Sequence, residues 1–291
     1  MCHVSWRLAY RPKKKIQLIA PKIEKSNEIS VVIPVKDDQQ GLDRFFASIL
    51  GMQEPDSLPC EILIVCDKGA SLHLNPKWQT HKVDVQVLFS YGIGPAAARN
   101  LGWRRAECEW VLFTDSDCIP ASTWLKGYVE ASNGSIGYAG TVLSYGRDFI
   151  SRYYENQRIL TPPTNSDKGF SSPEYLVTAN ALVWKEALKK IGGFNEVIKI
   201  AGGEDIDLSF RLSEIGGLSF AANSLVSHNF DDGLVGFLKR FRRYGKASRL
   251  LGEMYSLDMR PRRFKPEKES LSNYFLAYLQ YLSMLWGYHF N

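Results

Sequence analysis

The residues able to do chemistry in this 291-residue chain gather in two short acid-rich stretches. In the first, Trp110-Val-Leu-Phe-Thr-Asp115-Ser116-Asp117-Cys-Ile-Pro120, an apolar run of strand type meets two carboxylates one residue apart and is stopped by proline. Side chains alternate along a strand, so a strand continued through these residues sets Asp115 and Asp117 on one face and Ser116 on the other. Two hard anionic oxygen donors suit Mg2+ or Mn2+, ions that keep coordination sites open for phosphates. The same residues also suit a solvated turn, where Asp and Ser are favoured. The second stretch is Ala201-Gly-Gly203-Glu204-Asp205-Ile-Asp207-Leu208. A carboxylate there could take a proton as general base; equally, the acids could simply favour the N-terminus of a helix beginning near Gly203. In such a helix Asp205 and Leu208 lie on neighbouring faces, while Asp207 points elsewhere and reaches Arg211 one turn on.

Both stretches need a scaffold, and the preceding residues describe one. From Glu28, Glu-Ile-Ser-Val-Val-Ile-Pro34-Val-Lys-Asp-Asp reads as a β-branched strand running into a polar loop. Glu61-Ile-Leu-Ile-Val-Cys-Asp67 is a second buried-type strand that ends on an acid, and Leu42 to Leu50 between them has helical apolar spacing. A strand–helix–strand unit of this length makes the two strands parallel neighbours. Val83–Phe89 is a third strand candidate. After it, Gly92-Ile-Gly94-Pro95-Ala-Ala-Ala-Arg99-Asn100-Leu-Gly102 reads as a glycine turn opening a helix, with Pro95 near its first position. The strand before Asp115 continues this α/β alternation. In open α/β sheets ligands settle at the carboxyl edge of such strands.

The order of these segments, over roughly Ile29 to Gly245, resembles the inverting nucleotide-sugar glycosyltransferases of family 2, which have the GT-A fold. Val-Val-Ile-Pro34 resembles that family's opening strand, Asp67 its second acidic strand end, and Gly94 to Asn100 its glycine-to-Arg-Asn helix. Asp115-Ser-Asp117 resembles the DxD motif, Thr178-Ala-Asn180 the acceptor-side segment, Gly192-Gly-Phe194 the glycine turn, and Gly203-Glu204-Asp205 the Glu-Asp motif. The resemblance implies an α/β fold of GT-A type: a mixed, mostly parallel sheet with helices on both faces, a Rossmann-like nucleotide-binding half and an acceptor half. It divides the chain into an N-terminal extension (1–27), a glycosyltransferase domain (28–250, with halves 28–120 and 121–250), and a basic linker with an aromatic C-terminal helix (251–291).

The resemblance also implies roles. The donor is a nucleoside-diphosphate sugar, UDP-linked, held by Pro34, Val35, Asp67, Arg99, Asp115, Ser116 and Asp117. Among these, Asp67 and Arg99 lie around the nucleobase and Asp115 toward the ribose and the metal. Asp117, Asp115 and His228, which closes the strand-like run Ala221–His228, hold Mn2+ or Mg2+. Asp205 is the base and Glu204 supports it. Ala179, Asn180, Gly203, Arg242 and Arg243 lie on the acceptor side, where a saccharide or lipid-linked hydroxyl enters. One departure touches the base contact: Cys66-Asp67-Lys68 stands where the family commonly has a pair of acids. Two rivals remain. A metal-dependent nucleotidyltransferase should carry a basic glycine-rich loop after the first strand, yet Lys36-Asp-Asp-Gln-Gln-Gly41 has acids at its centre. A non-catalytic nucleotide-sugar-binding relative would be expected to lose one acid pair.

With 45% hydrophobic and 23% charged residues the chain can bury a full core. Its five cysteines (Cys2, Cys60, Cys66, Cys108, Cys118) are odd in number and lack a CxxC pair, which argues against a disulfide framework or zinc site and for a reducing compartment. Met1 to Lys15 lacks the hydrophobic block of a signal peptide. The expectation is a cytoplasmic protein, with the inner face of a membrane as the alternative. Lys239 to Lys268 holds eleven Lys/Arg against three acids, a local net charge of +8. This basic run points to phosphates of a small donor or a phospholipid acceptor, and not to nucleic acid. Leu271 to Asn291 has no Asp, Glu, Lys or Arg and is rich in aromatics. Such a tail suits the membrane interface, packing on the domain or on a partner subunit, or a membrane span that its polar and aromatic residues dilute.

Overall fold

Largely apolar, β-branched composition makes Ile29–Val35 (β1) and Glu61–Cys66 (β2) strands that are buried on both faces, as parallel sheets require. In the computed structural model, which describes residues 17–52, 57–67, 69, 72–73, 75–78, 83–91, 94–167, 170–230 and 233–290, the two pair in parallel from Ser30 with Glu61 to Val35 with Cys66. The crossover is α1 (Gln39–Gly51), which buries Leu42, Phe45, Phe46 and Ile49. β3 (Asp84–Phe89) adds to β2 in parallel and begins just after Val83. α2 (Pro95–Arg105) opens with Pro95 in its first turn and packs so closely on β1 that a Cβ at Gly102 would strike the Val32 side chain. β4 (Trp110–Thr114) joins the other side of β1, again in parallel.

The second half reverses direction. Its elements are β5 (Cys118–Pro120), α3 (Trp124–Ala131), β6 (Gly137–Ser144), α4 (Phe149–Asn156), a hairpin of β7 (Thr164–Asp167) and β8 (Phe170–Pro173), β9 (Asn180–Trp184), α5 (Lys185–Ile191), α6 (Glu204–Ser213) and β10 (Leu218–His228). The main sheet runs β3-β2-β1-β4-β9-β6-β10-β5. β9 is antiparallel to β4 and β6, and β5 is antiparallel to β10, while β6 and β10 are parallel. The sheet is therefore mixed and mostly parallel. Because strand order turns back at β1 and β4, the carboxyl ends of β1, β2 and β4 share one edge, where a crevice opens.

Residues 17–28, ahead of β1, pack on this body. Leu18 N donates to Ile215 O (2.7 Å) and Ala20 N to Gly134 O (3.0 Å), with Ala20 and Ile23 in the main core. After β10, α7 (Gly233–Tyr255) and α8 (Leu271–His289) build a second core with α4 from Tyr153, Tyr154, Phe237, Phe241, Leu276 and Met284. A Cβ at Gly245 would land on the Met284 carbonyl, and one at Gly287 on the Arg242 carbonyl, so the two helices meet backbone to backbone. One face of the aromatic tail thus packs on the domain. No described helix is long and apolar enough to cross a membrane. The cysteines depart from expectation at one place: Cys60 and Cys108, beside the starts of β2 and β4, form a disulfide, while Cys66 and Cys118 are buried thiols. Cys2, the Met1–Lys15 segment, Lys68 and the Gly92-Ile93 pair lie outside the described residues.

Candidate functional site

β4 ends at Thr114, and Asp115-Ser116-Asp117 forms a tight turn into β5, closed by Cys118 N donating to Asp115 O (3.1 Å). The expectation that strand alternation sets the two carboxylates on one face is therefore corrected. A turn aims them, because the chain must reverse here to lay β5 against β10. The turn is braced from below by α1. Asp38 caps that helix by accepting from Gly41 N (2.9 Å) and also accepts from Ser116 Oγ (2.8 Å). Gly41 is required at this crossing, since a Cβ would overlap both Asp38 and the Ser116 carbonyl. Ser116 is thus occupied in holding the turn to α1.

Arg99, expected near the nucleobase, is enclosed by acids from two elements. Its guanidinium is buried and bridges Asp115 Oδ1 and Glu204 Oε1, both at 2.8 Å. Burial opposes its charge, but Asp115, Glu204 and Asp205 outweigh that and raise its pKa. The Glu204 carboxylate also accepts from Gly202 N (2.7 Å) and Gly203 N (2.9 Å), closing the N-terminus of α6. Both carboxylate oxygens of Glu204 are thus engaged. Asp205 Oδ1 accepts from Ile206 N (2.9 Å). Loss of water around it, then the Glu204 charge, push its pKa up to about 7. Asp207 binds Arg211 (Oδ2 to Nε, 2.9 Å), as the four-residue spacing requires. Arg211 in turn holds the Gly193 carbonyl (2.7 Å).

The residues present fit a divalent cation. Asp117 Oδ1 is buried and accepts no hydrogen bond from the described residues, and His228 Nε2 lies 3.3 Å away. The Asn229 carbonyl can only accept, so the 2.9 Å contact places a proton on His228 Nδ1. In the neutral ring the Nε2 lone pair then faces the carboxylate. Burial first, and Asp115 second, push the Asp117 pKa up to about 7, the strain a cation would relieve. Cys118 converges with Asp117 and His228 within 4.8 Å. However, burial drives its thiol pKa far up and its sulfur points to the Ala179 carbonyl, so it is a poor partner for a hard ion. Asp115 stands outside that group, with Oδ1 turned to Arg99.

The acceptor-side expectation divides. Asn180 is a core residue: Oδ1 accepts from Trp124 Nε1 (2.8 Å) and Tyr128 OH (2.7 Å), and Nδ2 donates to the Thr141 and Ser224 carbonyls (3.1 and 3.0 Å). All four positions of the amide are filled by the protein itself, the last by a carbonyl freed by the β10 bulge after Ala221. Ala179 is likewise buried, its carbonyl accepting from Thr114 Oγ1 (2.9 Å). Gly203 does border the site as the N-cap of α6. Arg242 is turned away, its guanidinium 5.6 Å over the Trp286 ring of α8. Arg243 is exposed over Tyr244, whose ring packs against Gly202. Pro34, Val35 and Asp67 sit together at the carboxyl ends of β1 and β2, with Asp67 N donating to Val35 O (2.8 Å).

Two contributors were not singled out in the sequence. Arg240 lies 5.2 Å over Phe230 and 5.6 Å over Tyr154, and its charge acts on Asp117. Its signal was helical phase: it shares the side of α7 that buries Phe237 and Phe241, whereas Arg242 lies well round the helix from them. Asp38, noted only as an acid in a loop, is the other. Asn100 is structural, pinning the glycine turn through Phe194 N (2.8 Å) and Phe194 O (2.9 Å). Gly193 has φ +75, and a Cβ there would strike Asn100.

The fold has counterparts among solved structures. The mannosyltransferase PcManGT from Pyrobaculum calidifontis, determined with GDP-Man and Mn2+, superimposes with a TM-score of 0.58 over 94% of this chain and 76% of that one, at 14% identity. S. aureus TarS residues 1–349 with UDP-GlcNAc gives a TM-score of 0.56 over 79% of this chain and 67% of that one, at 17% identity. Parallel nucleotide-binding strands joined to a reversed half define the GT-A class. Residues 30–192 match Glycosyl transferase family 2, and the chain belongs to that family. Among characterised relatives, a pre-mycofactocin glycosyltransferase of Mycobacterium tuberculosis is 27% identical over 226 residues, covering 75% of this chain and 46% of that protein. The chondroitin synthase of Pasteurella multocida is 24% identical over 247 residues, covering 72% of this chain and 25% of that protein. The chain thus spans less than half the length of these relatives.

Proposed function

We propose that the protein transfers a sugar from a nucleoside-diphosphate sugar, UDP-linked, to a hydroxyl of a saccharide or lipid-linked acceptor with inversion at the anomeric carbon. The Arg99 bridge carries this reading, because two 2.8 Å contacts hold the Asp115–Asp117 turn and the Glu204–Asp205 helix end as one unit at the sheet's carboxyl edge. Asp205, with a pKa near 7, is matched to accept the acceptor's proton at neutral pH. As that oxygen attacks C1, the nucleoside diphosphate leaves from the opposite face. A cation, Mn2+ or Mg2+, held by Asp117 and His228 would supply charge neutralisation at the diphosphate. Arg240 adds fixed positive charge beside Asp117. The ends of β1 and β2, with Pro34, Val35 and Asp67, receive the nucleoside.

The test is a panel of UDP- and GDP-sugars in thermal unfolding, with and without Mn2+. A bound donor at about 100 times its Kd adds about 2.7 kcal/mol of stability, so one donor should stand out and only with the cation. Proton NMR of the product with an added acceptor then reads the anomeric configuration. A retained configuration overturns the inverting mechanism. Stabilisation by nucleoside triphosphates alone favours the nucleotidyltransferase reading, and donor binding without transfer or hydrolysis favours the non-catalytic relative.

A further inference from the structure

α8 is apolar on two faces, and the fold covers one. Leu276, Ala277, Gln280 and Met284 are buried against α7 and α4. On the opposite side Leu271, Phe275, Tyr278, Leu282, Trp286 and Phe290 are exposed, from 41% for Leu282 to 92% for Leu271. Their spacing of three and four residues makes a continuous stripe, unlike the scattered apolar residues of an ordinary surface. α8 itself carries no Asp, Glu, Lys or Arg. Alongside it, α7 exposes Lys239, Arg242, Arg243 and Lys246, and no acid occurs from Lys239 to Gly252. The Arg242 guanidinium lies 5.6 Å over the Trp286 ring, so positive charge borders the aromatic stripe directly. Between the helices a groove of ≈ 370 Å³ has walls of Val235, Leu279, Leu282 and Trp286, with Lys239 and Arg242 in its lining.

We propose that this face docks on an anionic lipid bilayer, with α8 lying in the interface and the α7 cations against lipid phosphates. Charge complementarity selects this occupant. A helical protein partner calls for a narrow apolar seam flanked by both signs of charge, whereas this stripe is broad, holds Tyr and Trp, and is bordered by one sign. The helix lies on the bilayer, since no described helix is long and apolar enough to cross it. α7 carries Arg240 toward Asp117 on its other side, so docking brings the candidate site beside the lipid surface. This deepens the acceptor reading toward a lipid-linked hydroxyl and rests on the proposed transfer reaction for that step alone.

The whole chain is floated with vesicles of phosphatidylcholine, or of phosphatidylcholine with phosphatidylglycerol, at low and high salt. It should rise with the anionic vesicles, much less with the neutral ones, and lose the difference in high salt. Lys239→Glu with Arg242→Glu should weaken partitioning about 30-fold or more, the share of two basic residues at an anionic leaflet. Phe275→Ser with Trp286→Ser should weaken it at least about 10-fold through lost ring burial. All four side chains are exposed, so thermal unfolding should stay cooperative, and nucleotide binding by the Phe275→Ser/Trp286→Ser variant should match wild type. That second readout separates failure of the surface from failure of the site. No flotation at low salt, or equal flotation with both vesicles, overturns the proposal. So does a dimer in sedimentation velocity that Phe275→Ser/Trp286→Ser dissociates without any vesicle binding, which assigns the face to a second copy.

Discussion

The Asp205 carboxyl offers the sharpest test of the site, because the groups around it set a pH at which activity must change. Loss of solvent raises its pKa first, the Glu204 charge raises it further, and Arg99 pulls it back, leaving it at about 7. Tyr175, buried nearby on the segment before β9, also feels its charge. A base must be deprotonated to act, so kcat/KM should climb about tenfold from pH 6 to pH 8, whereas a carboxylate at its usual ~3.9 would give a flat profile there. Measurement at saturating Mn2+ keeps cation occupancy constant. Glu204→Gln keeps the shape but removes the neighbouring negative charge, so the acid limb should move to lower pH. Asp205→Asn should cut transfer by about 10²–10⁴-fold while donor binding persists. Stability supplies an independent sign. The folded pKa lies above the unfolded value, so between about pH 4 and 7 the folded state holds a proton the unfolded chain has lost. Stability contributed by this group falls as pH rises through that window, and Asp205→Asn should therefore be more resistant to urea than wild type at pH 8. A flat activity profile from pH 5.5 to 8, or a limb that Glu204→Gln leaves in place, would refute the assignment.

Asp117→Ala should abolish the Mn2+-dependent stabilisation by a nucleoside diphosphate, read by calorimetry, while the apo protein unfolds at nearly the wild-type temperature; retained cation dependence would remove Asp117 from the metal site. Arg240→Ala should weaken donor affinity by about 10- to 100-fold, the worth of a contact with a charged group, with little effect on the affinity for an uncharged acceptor. Equal weakening of both would make its role structural. Asn180→Ala leaves Trp124, Tyr128 and two carbonyls without their buried partner and should cost at least about 3 kcal/mol in urea unfolding. An acceptor KM that changes while stability does not would restore Asn180 to the acceptor side.

The sequence alone determined the parallel half and the two acid pairs. β1, β2, α1 and α2 are specified by local pattern: β-branched runs, helical spacing and a Pro95 start are properties of neighbouring residues, and they sit close to where the pattern put them. The family resemblance rested on motifs of the same local kind. Strands β6 and β9 are less legible, because their pairing depends on residues more than forty positions away in β4 and β10. Only the tertiary structure decided which partners each motif residue meets. Arg99 and Asn180 look like binding residues by type and position, yet their side chains meet partners brought from 105 and 56 residues away. Ser116 is held by Asp38, 78 residues distant. The placing of Arg240 against Arg242 follows from the side of α7 that packs on α4 and α8, which the Phe237 and Phe241 spacing signals and the count of basic residues does not. Spacing along a chain reports neighbours on one element. Charge balance, burial and the shift of a carboxyl to neutral pH arise from groups that folding alone brings within a few ångströms.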